Sequence, residues 1–145
     1  MSDFFSNSIL TATGWAWLVA QILKVIINSI RERRLNLWYM TTMGGMPSSH
    51  SATVAGLATA VGVREGFRST LFAIALVFAF VVMYDAAGVR RAAMHQARIL
   101  NQIIDELFQG HPISETRLRE LLGHTPFEVI VGAVLGAVVA AYVVW

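Results

Sequence analysis

The chain has no cysteine among its 145 residues, which excludes disulfide bonds, thiolate metal sites and a cysteine nucleophile. Charge is also scarce. Asp, Glu, Lys and Arg make up 14% of the residues, against about 25% in an ordinary soluble domain. With 56% hydrophobic residues and a mean hydropathy of +0.60, the shortage argues against a water-soluble globule and for a bilayer. The first thirteen residues carry no basic stretch, so a cleaved signal peptide is not expected. No internal repeat, low-complexity run or linker breaks the sequence, and residues 1–145 read as one domain. The net charge of +2 is modest, and no nucleic-acid partner is expected.

What the chain does have is long apolar runs. Trp15 to Ile30 is interrupted only by Gln21, Lys24, Asn28 and Ser29. Ser69 to Tyr84 holds no charge, and Phe127 to Trp145 holds only Glu128, near its start. A span needs roughly 20 apolar residues, which each run reaches with its flanks. A fourth helix, Ser48 to Val63, is rich in Ala, Gly, Ser and Thr and would rise about 24 Å, short for the hydrocarbon core. Gly88 to Phe108 reads as a separate amphipathic helix after a turn through Gly88, and Ser114 to Leu122 as a short one. The expected fold is an all-α integral-membrane bundle. It has about four membrane-embedded helices and one or two amphipathic helices on the cytoplasmic side. Ala52, Gly56 and Ala60 form one small-residue stripe, and Gly132, Gly136 and Ala140 another. Such stripes allow close helix approach. Spent between two copies they would give the expected homodimer; spent within one chain they would only pack it.

Three short polar segments sit where apolar runs end. Met46 to Ser51 opens a helix, and a helix start offers unpaired N–H groups and the positive end of its dipole. Ser48, Ser49 and His50 there suit an oxyanion or phosphate, although Ser48 or Ser49 could simply cap the helix. His124 and Glu128 stand four apart on one helix face, where a carboxylate can orient an imidazole and stabilise its cation. A structural ion pair is the plainer alternative. Arg90 and Arg91 offer guanidinium groups for phosphate, with Asp85 placed to orient one of them or to pair with Arg90. Lys24, inside an apolar run, would either snorkel or reach the phosphate cradle. Asn101 and Thr125 are assigned supporting roles. His50, Asp85, His124 and Glu128 could supply metal ligands, but no tight ligand motif is present, and neither metal nor cofactor is expected.

Taken together, Gly44 to Ala52, Val82 to Ala93, Gln96-Ala97 with Leu100-Asn101, and Leu122 to Val129 resemble a divergent family. It is related to type 2 phosphatidic acid phosphatases and vanadium-dependent haloperoxidases. The resemblance covers roughly residues 12 to 145. It implies that His124 is the nucleophile, Glu128 its orienting carboxylate and His50 the acid that protonates the leaving group. Ser49 stands where the broader superfamily has glycine, its Ser-Arg pair is not reproduced (position 118 is Leu, between Arg117 and Arg119), and its Lys…Arg-Pro motif survives only as Lys24 and Arg31. Arg90 or Arg91 is expected to supply the missing cation. The implied activity is hydrolysis of a lipid phosphate monoester or diphosphate. A membrane protein that binds anions or lipid head groups without hydrolysis, or a transporter subunit, is the alternative, and a vanadate-dependent oxidase a minor one.

Arginine placement sets the expected orientation. With the N-terminus outside, Arg31, Arg33, Arg34, Arg90, Arg91, Arg98, Arg117 and Arg119 are cytoplasmic, and only Arg64 and Arg68 lie opposite. That asymmetry fits the positive-inside bias and a bacterial inner membrane, with the site on the cytoplasmic side. A phosphatase reporter that works only outside the cytoplasm should be active when fused at Trp145 and inactive in the loop from Arg31 to Thr42. The reverse pattern would overturn the orientation.

Overall fold

Asn7 caps the first helix, α1 (Ser8–Glu32), its side-chain oxygen accepting from the amides of Ile9 and Leu10. The computed structural model describes residues 6–35, 37–40, 45–107 and 124–145. After α1 the chain folds back as a 3-10 turn, Leu37–Met40. Two hydrogen bonds lay this turn along α1: the Tyr39 hydroxyl donates to the Glu32 carboxylate, and Gln21 Nε2 donates to the Met40 carbonyl at 3.1 Å. Gln21 lies 11 positions before Glu32, about 16 Å of helix rise. The chain therefore re-enters the bundle. Irregular backbone at such depth is tolerated only where protein covers it, and α1 provides the cover.

Helix α2 (Ser49–Glu65) follows, capped by Ser48 and ended at Gly66, whose φ of 90° favours glycine. Helix α3 (Thr70–Leu107) begins where the Ser69 hydroxyl accepts the Phe72 amide. Helix α4 (Pro126–Val144) starts with a capping box made by Thr125 and Glu128, with Pro126 in its first turn. Among the described residues, three helical segments are long and apolar enough to cross a membrane: Ser8–Glu32, Thr70–Ala87 and Pro126–Val144. The protein is an integral-membrane helical bundle. At 17 residues α2 rises only about 25 Å, and it is the central helix, packed against α1, α3 and α4.

Two different surfaces hold α2. Toward α3 it offers Val54, Ala58 and Val61, which pack on Ala75 and Ala79. Toward α1 and α4 it offers only small residues. A Cβ at Gly132 would overlap the Ser48 carbonyl, one at Gly136 would overlap the Ala52 carbonyl, and one at Gly56 would come within 2.8 Å of the Ala16 methyl. The stripes on α2 and α4 are thus consumed inside one chain, which removes the ground on which a homodimer was expected. Helix α3 leans mainly on α2 and shows Ile74, Val77, Phe78 and Val81 outward.

One expectation fails at Gly88. The chain does not turn there; α3 continues unbroken to Leu107, about 30 Å beyond the apolar segment. A lone helix glycine costs about 1 kcal/mol relative to alanine, and the Ala, Arg and Met residues around it favour helix. The short helix expected over 114–122 lies outside the described residues.

Gly136→Ala should destabilise the bundle by about 1–3 kcal/mol, because the added carbon meets backbone that cannot step aside. Gly14 has nothing within 4 Å of its would-be Cβ, so Gly14→Ala should leave stability unchanged or raise it by up to about 1 kcal/mol. Thermal unfolding in mild detergent reads both. Equal effects would contradict the backbone contact.

Candidate functional site

The first turn of α2, the start of α4 and the inner face of α1 meet at one end of the bundle. Ser48 is the joint. Its amide donates to the Glu128 carbonyl at 3.1 Å, its carbonyl accepts the Ala52 amide, and its hydroxyl oxygen accepts from the Ser51 amide at 3.3 Å and hydroxyl at 3.1 Å. The residue is 0% exposed. Ser48 thus ties α2 to α4 and caps α2, its hydroxyl oxygen acting as the acceptor. Of the first-turn donors, the amides of Ser49 and His50 remain without a partner among the described residues. Ser49 is buried, and His50 is exposed.

His124 precedes α4 and is 3% exposed. Its ring lies 5.7 Å from the ring of His50, centroid to centroid, with the planes 62° apart. Glu128 serves two neighbours at once. Its Oε2 accepts the Thr125 amide at 2.7 Å and stands 3.7 Å from His124 Nδ1. Thr125 answers by accepting the Glu128 amide at 3.2 Å. The histidine and the carboxylate are therefore neighbours at 3.7 Å, beside a capping box that holds the carboxylate still. Thr125 supports the pair by fixing Glu128.

Lys24 is 1% exposed within α1, and its stem lies 3.5 Å from where a Cβ would sit on Gly45, three residues ahead of Ser48. Gly45 has a φ of 92°, so the backbone both needs glycine and clears the lysine there. The Asn28 amide donates to the Lys24 carbonyl at 2.8 Å. The stem of Lys24 thus lies beside Gly45, on the segment that leads into α2.

Other expected members stand apart. Asp85 is exposed on α3, in a groove of about 590 Å³ with Phe80, Val81, Val82 and Tyr84. Because α3 is continuous, Asp85 and Arg90 are five positions apart, about 140° around the helix, and the expected pairing through a turn is lost. Asn101 lies about 24 Å further along α3 than Asp85. The helix carries Arg90 and Arg91, but their side chains fall outside the described part. Gln21 and Asn28 were missed as contributors. Their signal was legible: positions 21, 24 and 28 place three polar residues on one face of an otherwise apolar helix.

The described residues thus form a membrane bundle with two imidazoles near a capped helix start, one of them beside a carboxylate. The chain belongs to the Divergent PAP2 family, whose family model matches residues 5–139. It is 37% identical over 145 residues to the "Uncharacterized membrane protein YuiD" of Bacillus subtilis (strain 168), and the match covers 92% of each chain. No solved structure matches it at a significant level.

Proposed function

We propose that this protein hydrolyses a phosphate monoester or diphosphate carried by a membrane lipid, with His124 as nucleophile. The observation that carries the reading is the pair of facing imidazoles, His50 and His124, beside the first turn of α2. Free amides at a helix start suit the phosphoryl oxygens, and Lys24 adds positive charge. In the first step the Nε2 atom of His124 attacks phosphorus, forming a P–N bond as the P–O bond to the lipid breaks. His50 gives its proton to the departing lipid oxygen. The Glu128 carboxylate, fixed by Thr125, balances the charge on the His124 ring. In the second step His50 takes a proton from water, which attacks phosphorus and breaks the P–N bond. Phosphate leaves and both histidines return to their starting state.

Arg31, in the last turn of α1, and Arg33 and Arg34 just after it lie at the end of the bundle that holds the histidines, while Arg64 and Arg68 mark the other end. This supports a site on the cytoplasmic face of a bacterial inner membrane. The burial of His124 favours a second reading, a head-group binder that does not hydrolyse. In the enzymatic reading the lipid approaches from the side of His50, which is exposed.

Purified protein in lipid nanodiscs should release phosphate from at least one member of a panel of lipid phosphates. His124→Ala should lower that rate by a factor of about 10³ or more while retaining lipid binding. Glu128→Gln keeps the capping-box acceptor, so its melting temperature should barely move while kcat falls. Binding without release by the wild type would establish the binder. Release unaffected by His124→Ala would remove the nucleophile assignment.

A further inference from the structure

Gln21 is 7% exposed in the interior of α1, and the chemistry above leaves it unused. Its Nε2 donates to the Met40 carbonyl at 3.1 Å. A carbonyl only accepts, so this bond settles which end of the carboxamide is nitrogen. The other end, Oε1, is fully buried and has no hydrogen-bond partner among the described residues. An orphan acceptor inside a membrane span opposes folding and calls for a proton donor that the described residues do not provide.

Its position says which donor fits. Gln21 precedes Lys24 by three residues, on the same face of α1 and about 4.5 Å nearer the bilayer centre. Both residues flank the same re-entering segment, Lys24 at Gly45 and Gln21 at Met40. A lipid whose phosphate rests at Lys24 and the first turn of α2 must send its tail toward the bilayer centre. The first atoms beyond the ester oxygen then pass the level of Gln21. We infer that Gln21 Oε1 accepts a hydrogen bond from a hydroxyl on the second carbon from the phosphate ester oxygen. Gln21 is thus a specificity residue, selecting lipid phosphates with a free backbone hydroxyl over fully acylated or prenyl phosphates. The inference rests on the phosphate-site reading above. A bound water is the competing donor, and it would satisfy Oε1 whatever the lipid.

Two probes separate these cases: 1-acyl-lysophosphatidate with its free hydroxyl, and the same lipid with that hydroxyl methylated. Binding of each to the full-length protein in nanodiscs should differ about ten- to hundredfold in favour of the free hydroxyl, since a site built for a donor rejects an analogue lacking it. Gln21→Met keeps the length and removes the acceptor, and should bring the ratio close to one. A wild-type ratio near one overturns the inference without need of the variant, as does a ratio that persists in Gln21→Met. Phosphate release with a ratio of one removes the hydroxyl reading alone. A strong ratio without phosphate release removes the hydrolase reading alone. Failure of both lipids to bind removes both.

Discussion

Helices α2 and α4 touch backbone to backbone, and the site depends on that contact. Glycine at positions 132 and 136 lets the carbonyls of Ser48 and Ala52 sit where side chains would otherwise stand. In a bilayer, apolar side chains gain little by leaving lipid, so close packing and hydrogen bonds must hold helices together. Here both act at one place. The Ser48 amide crosses to the Glu128 carbonyl, at the point where the glycine face of α4 meets the first turn of α2. That single joint sets the distance between His50, in the first turn of α2, and His124, just ahead of α4.

The same joint explains a division of labour among the polar residues. Ser48 and Thr125 begin α2 and α4 and use their side chains on backbone amides. In the proposed chemistry Ser49, His50, His124 and Lys24 are the groups that meet the phosphate, beside neighbours that only cap the helices. Glu128 belongs to both groups, because a carboxylate has oxygen lone pairs enough to cap a helix and face an imidazole. On α1, Gln21 and Asn28 do for the re-entering segment and for Lys24 what Thr125 does for Glu128.

Much of this was legible in the sequence. Uncharged runs gave the spanning helices because twenty apolar residues have few other stable homes. His124 and Glu128 were expected on one helix face; His124 in fact lies ahead of α4, and the pair comes close because the capping box turns the Glu128 carboxylate back toward the entering chain. Ser48 was legible as a helix cap but not as an inter-helix joint, since its partner Glu128 is 80 positions away in the chain. The continuity of α3 was hidden because a lone glycine reads equally as a break or as a tolerated defect. The re-entering turn was hidden for a similar reason. Nothing local to Leu37–Met40 reveals that Gln21, far back in α1, holds it.

The central claim is that a phosphoryl group passes through an imidazole of this site, and it can be observed directly. Purified protein would be mixed with lipid phosphate labelled on its phosphorus, quenched in alkali within milliseconds, and digested for mass spectrometry. Phosphohistidine survives alkali and is lost in acid, so the bond type is read from the quench as well as from the mass. The account requires a transient phosphoryl group on the peptide containing His124, absent in His124→Ala and longer-lived in His50→Ala. Label on another residue, or turnover with no phosphorylated histidine at any time point, would contradict it.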